Sequence, residues 1–364
     1  MTVIDPLISD RKNDHVLHAV AQHRTVHSAN DFDAVSFVHH ALAGIDSTQV
    51  SLATSVAGMP WQTPFFINAM TGGSERTGRI NRELAIAAHT TSLPIASGSM
   101  SAYLRDPTLA STYRVLRQHN PNGVVIANVN ANTTLDQARR AVDLLDADAL
   151  QIHLNAVQEI VMPEGDRHFS HWPGRIEQIT SGIEVPVIVK EVGFGLSHKT
   201  VTWLRDAGVA AADVGGRGGT NFARIENARR PERELPFFDQ WGQSTPACLL
   251  AVSDVPGIDI LGSGGVRSPL DIVRSLALGA AASGVAGVFL RTLVDQGTEA
   301  LIGTITAWRE QLRKIMTVLG ARTVADLTTC DLLLDQELIR HTELRRSDQP
   351  QCSRRTSLSS EGPR

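Results

Sequence analysis

The segment HLNAVQE, residues 153–159, concentrates hydrogen-bonding side chains directly after a hydrophobic run typical of a buried strand. It carries an imidazole at His153, carboxamides at Asn155 and Gln158, and a carboxylate at Glu159. A polar group that is buried without a partner costs about 1–3 kcal/mol. These side chains therefore need partners, which either neighbouring protein groups or a bound ligand can supply.

Alternation along the preceding strand separates its side chains into two faces. The apolar side chains should pack under helices, whereas the polar ones should point into the interior of a barrel. The two faces are Leu150, Ile152 and Leu154, and Gln151, His153 and Asn155. A polar layer that is paired within the protein and a ligand site both account for the inward face. Gln158 and Glu159, just beyond the strand end, favour the ligand site.

Three glycine clusters follow successive predicted strands and indicate an anionic ligand. They are GGRGGT (215–220), GSGGVR (262–267) and GVAG (284–287). Backbone amides in such turns, together with a helix N-terminus, commonly bind phosphate. Tight turns that need positive φ would explain each cluster separately, but not their common position at strand ends.

Lys190 ends the predicted strand PVIVK, where a lysine is costly to bury unless it faces an anion. Beside a flavin it would stabilise negative charge on the reduced ring. The alternative is that its ammonium group reaches solvent. The segment MTGG (70–73) and Asn128 would line the same barrel mouth.

Short apolar runs alternate with helix-like segments and define the elements that must position these groups. Eight strands are predicted to begin at residues 65, 94, 123, 149, 186, 210, 259 and 282. Helices are predicted at 79–90, 134–145, 198–208 and 268–280. This α/β pattern fits a (β/α)₈ TIM barrel better than an open doubly wound sheet. The longest insertions, 160–172 and 217–240, follow strands and belong to the face that carries active sites, unless they are only linkers.

The chain divides into three predicted parts. Residues 1–64 form an N-terminal extension with a helix and a hairpin. Residues 65–341 form the barrel. Residues 342–364, rich in Ser, Arg and Pro, are expected to be a disordered tail.

Composition restricts the class of protein. A chain of 364 residues with 42% hydrophobic and 20% charged residues fits a soluble globular protein with a large core. A net charge of −4 gives no basic field for nucleic acid. Cys248, Cys330 and Cys352 have no CxxC spacing, so neither a disulfide framework nor a thiolate zinc site is expected. Without a recognisable signal segment or an apolar run of about 18 residues, we expect no membrane association and a cytoplasmic location.

Seven motifs occur in order along the chain. They are RKNDH (11–15), AMTGG (69–73), HLNAVQE (153–159), PEGDRHF (163–169), VKEVGFG (189–195), GGRGGTNFARIEN (215–227) and GSGGVRSPLDIVRSLALGA (262–280). Together they resemble the type 2 isopentenyl diphosphate isomerases, which are FMN-dependent barrel enzymes. The match covers the chain from about residue 10 to residue 340 and excludes the tail.

The resemblance implies an isopentenyl diphosphate delta-isomerase of isoprenoid biosynthesis, which interconverts isopentenyl and dimethylallyl diphosphate without net redox change. It implies reduced FMN and Mg²⁺ as cofactors, NADPH as the reductant, and a homo-oligomer, either a tetramer or an octamer. The allylic shift adds one proton and removes another through a cation-like state. Few side chains are acidic enough for the first step, which makes a reduced flavin a suitable proton carrier.

The resemblance also assigns roles to individual positions. Catalytic roles are implied for Gln158 and His153, and a Mg²⁺ ligand is implied at Glu159, since substrate phosphates and water can complete the shell. Implied substrate contacts are Arg11, Lys12, His15, Ser99, Ser101, Asn155 and Gln158, the first three of which make the N-terminal extension part of the substrate site. Implied FMN contacts are Ala69, Met70, Thr71, Ser99, Asn128, Lys190, Thr220, Gly264, Gly265, Val266, Arg267, Ala286 and Gly287.

The chain departs from the family pattern at two places. GSMS (98–101) lacks the Gln and Arg of the GSQR that many members carry, which removes a phosphate contact expected there. Gly215 stands where a serine is frequent, which removes a hydroxyl contact to the flavin. Arg11 and Lys12 on their own would indicate a solvated basic pair, and only the RKNDH pattern assigns them to phosphate.

Two other functions compete with the isomerase. A 2-hydroxy acid oxidase or dehydrogenase on the same barrel would need a His/Arg pair after its late strands, and residues 213–240 contain arginines but no histidine. A non-catalytic flavin or phosphate binder would need the glycine turns, but not His153, Gln158 and Glu159 together.

Overall fold

The computed structural model describes residues 6–24, 30–230 and 234–340, with side chains from residue 12 onward. The predicted disordered tail lies outside the described residues. The helices are α1 Pro6–Arg24, α2 Glu75–Thr91, α3 Ser101–Arg105, α4 Ser111–His119, α5 Leu135–Leu145, α6 Ala156–Val161, α7 Trp172–Gly182, α8 His198–Asp206, α9 Phe222–Ala228, α10 Thr245–Val252, α11 Pro269–Ala277, α12 Gly287–Gln296 and α13 Thr298–Leu319.

Eight parallel strands close into a barrel in chain order. They are β4 Phe65–Ile67, β5 Ile95–Ala96, β6 Val125–Asn130, β7 Ala149–Leu154, β8 Val187–Glu191, β9 Ala211–Asp213, β10 Asp259–Ser263 and β11 Ala282–Val285. The predicted TIM barrel is confirmed, and all eight predicted strands are present. A barrel of this kind brings the carboxyl ends of all its strands to one face.

Four further strands lie outside the barrel. They are β1 Val35–Phe37, β2 Thr54–Val56, β3 Met59–Trp61 and β12 Leu332–Leu334. β1 pairs with β12, which ties the N-terminal segment to the end of the described chain. β2 and β3 form the hairpin that the sequence predicts ahead of the barrel. None of the helices in the described ranges is both long and apolar enough to span a bilayer.

Local signals in the sequence explain where the barrel helices begin. Ser74 and Thr134 form capping boxes at the starts of α2 and α5, and the side chains of Ser197 and Ser244 cap α8 and α10. Each such side chain satisfies a backbone N–H that the helix leaves without a partner. All four predicted helices are present, with ends that differ by a few residues.

The lower half of the barrel interior is filled with apolar side chains. Every barrel strand contributes one buried residue, and the hairpin adds Val56 and Trp61. The eight strand residues are Phe66, Ala96, Ile126, Ala149, Ile188, Ala211, Leu261 and Ala282. This packed floor leaves only the upper interior, at the carboxyl ends of the strands, available for polar groups.

The predicted division of β7 into two faces is confirmed. Leu150 and Ile152 are buried between the barrel and its helices, with Leu154 packed against the same core. Gln151 is fully buried, and neither polar atom of its amide has a hydrogen-bond partner among the described residues. The polar face thus points inward, above the apolar floor.

Replacing Trp61 with alanine is expected to lower the free energy of unfolding by about 3–5 kcal/mol, because it opens a large cavity beneath the barrel. Trp61 is 2% exposed, and its ring packs edge-on against Phe66 at 5.4 Å between centroids. Denaturant titration would measure the change. Trp241→Ala is the matched control, since Trp241 is 56% exposed; an equal loss in both variants would contradict the role of the hairpin as a floor.

Candidate active site

A cavity of about 650 Å³ opens at the carboxyl ends of the barrel strands. Residues at or just after all eight barrel strands line it, and residues 12–23 of α1 complete the wall. Active sites of barrel enzymes lie at this face. The cavity is therefore the candidate active site.

Helix α1 is fixed against the cavity by polar and apolar contacts. His15 Nε2 lies 2.9 Å from Glu226 Oε1, and His23 Nε2 lies 3.1 Å from Thr220 Oγ1. Its apolar side packs against Leu290 of α12. The predicted N-terminal helix thus forms part of the cavity wall.

The stretch 153–159 runs from the end of β7 into α6, and its four polar side chains all line the cavity. Asn155 Nδ2 donates to Glu159 Oε1 at 2.9 Å, and it lies 3.4 Å from Gln158 Oε1. The other oxygen of Glu159 accepts from the backbone N–H of Asp166 at 2.9 Å. These contacts fix the orientation of the Glu159 carboxylate at the cavity wall.

The buried carboxylate of Glu226 in α9 orients Gln158 and His15. Gln158 Nε2 donates to Glu226 Oε1 at 2.9 Å, and Arg229 donates to the second carboxylate oxygen. Burial alone would raise the pKa of Glu226, but the hydrogen bonds from its partners, with His15 the largest contributor, lower it to about 2. Because an ionised carboxylate only accepts hydrogen bonds, His15 Nε2 carries a hydrogen. The amide oxygen of Gln158 is then turned towards Asn155.

His153 is a neutral imidazole at the base of the cavity. Burial, together with the nearby ammonium groups of Lys190 and Lys12, lowers its pKa to about 3. Nδ1 lies 3.0 Å from Asn128 Oδ1 and donates to it, which leaves the lone pair on Nε2. His153 can therefore accept a hydrogen bond or a proton from a ligand.

Replacing His153 with glutamine is expected to change how stability depends on pH. The folded pKa of His153 lies below the value of about 6.5 expected in the unfolded chain, so the unfolded chain binds the additional proton between these pKa values. Native stability therefore falls as the pH falls through that window. The ligand-free parent should lose about 2 kcal/mol relative to His153→Gln between pH 8 and pH 5. Denaturant titrations across this range measure the difference, and parallel curves would rule it out.

Lys190 of β8 lies in a buried polar layer above the apolar floor. It is paired in strand register with Asp213 of β9. Asp213 accepts from Asn68 Nδ2 at 3.0 Å and from Ser263 Oγ at 2.6 Å. Lys190 Nζ donates to the backbone oxygen of Glu191 at 2.6 Å. The lysine is thus held inside the barrel rather than extended to solvent.

The charges of this layer depend on one another. Burial lowers the pKa of Lys190, whereas the carboxylates of Asp213 and Glu191 oppose that shift. Burial raises the pKa of Glu191 to about 7, against hydrogen bonds from backbone N–H groups that include that of Phe194. A ligand group that carries or gains negative charge beside Lys190 would stabilise the ammonium form.

The glycine turns approach one another so closely that side chains are excluded. Gly264 and Gly265 adopt φ values of 99° and 81°. A Cβ at Gly264 would lie 2.0 Å from the backbone oxygen of Gly216. Helix α12 begins at Gly287, directly after the neighbouring strand β11. Backbone N–H groups and a helix N-terminus at one end of the cavity suit a phosphate.

Gly215, the departure from the family's serine, has a structural cause in this chain. Its φ is 49°, and a Cβ there would lie 2.0 Å from the backbone oxygen of Glu191. This backbone has no room for a serine, so a hydroxyl contact at this position is replaced by close packing of two strand ends.

The residues present fit FMN. The glycine turns suit its phosphate, and Lys190 suits the ring of a reduced flavin, on which negative charge develops.

The residues around Glu159 fit one Mg²⁺ ion that has few protein ligands. Asn155 Oδ1 is buried and has no hydrogen-bond partner in the described part of the chain. Carboxylate and carboxamide oxygens are hard donors that Mg²⁺ accepts. Among residues 6–24, 30–230 and 234–340 no cluster of three or more His, Cys, Asp or Glu could hold a metal, so substrate phosphates and water would have to complete its shell.

Most residues assigned by the resemblance lie around this cavity. Those that line it are Lys12, His15, Ala69, Met70, Ser99, Ser101, Asn128, His153, Asn155, Gln158, Glu159, Lys190, Thr220, Gly264, Gly265, Val266, Ala286 and Gly287. Thr71 and Arg267 do not line it, and the Arg267 side chain pairs with Asp33 and Asp271. The side chain of Arg11 lies outside the described residues.

Three buried acidic residues of this site were not predicted from the sequence. Glu226 and Asp213 connect groups from different strands and helices, and Glu191 receives the backbone N–H groups of Phe194 and Gly195. Glu226 and Glu191 fall inside the quoted motifs GGRGGTNFARIEN and VKEVGFG. A carboxylate inside a glycine-rich motif is the signal that could have identified them.

The sequence model of the FMN-dependent dehydrogenase family matches residues 113–333. A protein of Nocardia farcinica named isopentenyl-diphosphate delta-isomerase is 67% identical over 340 residues, which cover 93% of this chain and 94% of that one. Proteins of the same name from a Streptomyces species and from Latilactobacillus sakei are 61% and 44% identical. These two alignments cover 91% of this chain in each case, and 91% and 94% of the relatives.

Solved structures show the same fold at low sequence identity. A flavocytochrome b2 variant with benzoylformate aligns with a TM-score of 0.66 and 16% identity, covering 93% of this chain and 88% of the other. A mandelate oxidase variant with an FMN adduct aligns with a TM-score of 0.60 and 18% identity, covering 91% and 96%. At such identities the likeness concerns the barrel fold alone.

Proposed function

Because the chain belongs to the isopentenyl-diphosphate delta-isomerase family, on the fold of the FMN-dependent dehydrogenases, we propose that it interconverts isopentenyl diphosphate and dimethylallyl diphosphate. The family is the type 2, FMN-dependent class of isomerase. The observation that carries the proposal is the 67% identity over 93% of the chain. The cavity supports it, since the segment 153–159 and the three glycine turns all line its wall.

The glycine turns and Lys190 are the groups proposed to hold FMN, with its phosphate at Gly264 and Gly265. Bound reduced FMN would supply a proton carrier and a negative charge next to the cation-like state of the substrate. Lys190 then balances that charge from the barrel interior. Asp213, which lies beside Lys190 in strand register, favours the ammonium form of Lys190 because its charge opposes the lowering of the Lys190 pKa.

The diphosphate of the substrate is proposed to bind between α1 and α3. Lys12 and the hydroxyl groups of Ser99 and Ser101 line this part of the cavity. The two serine oxygens lie 3.0 Å apart, close enough to contact neighbouring phosphate oxygens. Charge-assisted hydrogen bonds of this kind are among the stronger ones in proteins.

Glu159 is proposed to hold Mg²⁺ together with the diphosphate. Its orientation is set by Asn155 and by the backbone N–H of Asp166. The single carboxylate balances only part of the 2+ charge of the metal, and the remainder would neutralise charge on the phosphates. Asn155 Oδ1 would be a second oxygen donor at the same place.

The alkene is proposed to lie against neutral hydrogen-bonding groups. Gln158 is anchored to Glu226 through its Nε2, and its amide oxygen can accept a hydrogen bond. Because the amide is neutral, it would not form a covalent bond with the cation-like state of the substrate. His153 Nε2 provides a second neutral acceptor. Helix α1 covers the site and excludes water, which would otherwise trap the cation-like state.

NADPH as the reductant of FMN, assembly into a tetramer or octamer, and a cytoplasmic location follow from the family resemblance and belong to this proposal. The rival hydroxy acid oxidase would need a histidine after its late strands to act as a base. No histidine lies in residues 213–240, which disfavours that function.

Incubation of the protein with either isopentenyl or dimethylallyl diphosphate tests the proposal. With FMN, Mg²⁺ and an anaerobic reductant, both starting compounds should reach the same mixture, as chromatography of the dephosphorylated alcohols would show. Omission of FMN should abolish conversion. Bleaching of oxidised FMN by 2-hydroxy acids, without any allylic isomerisation, would support the oxidase instead.

A further inference from the structure

Arg105, at the end of α3, is a cavity-lining cation without a protein partner. It is an exposed residue of the rim. Within the described part of the chain it makes no hydrogen bond or ion pair, and it is the one arginine there that lines the cavity. Arg229, whose partner Glu164 also lines the cavity, is by contrast paired with Glu164 and Glu226.

The position of Arg105 places it with the other groups on the α1 side of the mouth. Ser101 and Arg105 are four residues apart on α3, so their side chains share one helix face. A Cβ built on Gly73 would lie 2.7 Å from Ala102 Cβ and 4.0 Å from Lys12 Cγ. Lys12 and the first turn of α3 therefore both lie next to Gly73.

The FMN phosphate cannot account for this cation. The turn at Gly264 and Gly265 follows β10, whereas α3 follows β5, three strands away around the barrel. Arg105 therefore faces the substrate end of the cavity. An unpaired guanidinium at this end matches the geometry of phosphate oxygens, which it can contact with two parallel N–H groups.

We propose that Arg105 binds the diphosphate of the substrate, together with Lys12 and Ser101. This inference rests on the proposed function, which supplies a diphosphate as the ligand. It also accounts for the departure at GSMS, where Ser101 stands in place of the arginine of the family's GSQR. Arg105, one helical turn later, provides the missing cation. Arg105 is thus a substrate-binding residue, and a determinant of the preference for diphosphate over less charged ligands.

Binding measurements on the FMN holoenzyme test the inference without turnover. With oxidised FMN and Mg²⁺ present, calorimetric titration would give the Kd of inorganic pyrophosphate and of isopentenyl diphosphate. Arg105→Ala should weaken both about tenfold or more. Arg105→Lys should retain most of the affinity, because it keeps the charge. The loss should be largest at low ionic strength, where an exposed cation is least screened.

Arg114→Ala is the matched control, because Arg114 of α4 is also exposed but does not line the cavity. Its Kd values should equal those of the parent protein, and the affinity for FMN should be the same in every variant. Equal pyrophosphate affinity in Arg105→Ala and Arg114→Ala would overturn the inference and make Arg105 a solvated rim cation. Pyrophosphate binding by the parent protein without isomerisation would overturn the proposed function alone.

Discussion

Replacing Lys190 with methionine is expected to reduce turnover about a thousandfold, a loss comparable to removing a key electrostatic contact in a transition state. The side chain is buried in the barrel, next to Asp213 in strand register. Methionine fills a similar volume but removes the cation. Negative charge on a reduced flavin would then face Asp213 and Glu191 without compensation.

The affinity for FMN and its reduction potential provide readouts that do not depend on turnover. In Lys190→Met, FMN should bind more weakly and should be harder to reduce, because the reduced ring is anionic. Lys199→Met is the control, since Lys199 is an exposed lysine on α8. An unchanged reduction potential in Lys190→Met would show that the lysine does not contact the flavin.

Replacing Glu159 with glutamine should reduce turnover by at least about a hundredfold and weaken the dependence on Mg²⁺. Glutamine preserves the size of the side chain, although its single amide oxygen can accept only one of the two hydrogen bonds that Asn155 and Asp166 donate to the carboxylate. The substitution thus removes the charge with little change in shape. Binding of FMN, at the other end of the cavity, should be unaffected.

Manganese as a paramagnetic probe separates metal binding from catalysis. Its affinity in the presence of pyrophosphate should fall in Glu159→Gln. Glu164→Gln is the matched control, because Glu164 also lines the cavity but is ion-paired with Arg229. If both variants bind manganese as the parent protein does, Glu159 is not the metal ligand.

The fold could be predicted from the sequence because its signals are local. The β-branched run before His153 and the Ser and Thr caps of the helices each specify an element within a few residues. The alternation on β7 also predicted which side chains point inward. The strand starts at 65, 149, 259 and 282 were predicted to the residue.

The connections within the site could not be predicted, because they join residues far apart in the chain. Glu226 meets His15 across 211 positions, and Asp213 meets Asn68 across 145. No periodicity encodes such pairs. The ion pairs of Arg267 show the same limit, since its partners Asp33 and Asp271 come from the N-terminal segment and α11, while its assignment to FMN stays a prediction.

Proton NMR of isopentenyl diphosphate in D₂O tests the central claim most directly. The sample would contain the purified protein, FMN, Mg²⁺ and an anaerobic reductant, with each omitted in turn. The account predicts that dimethylallyl methyl signals grow as the terminal methylene signals decline, with deuterium entering the product, only when reduced FMN and Mg²⁺ are both present. Methylene signals that persist unchanged while reduced FMN is bound would contradict it.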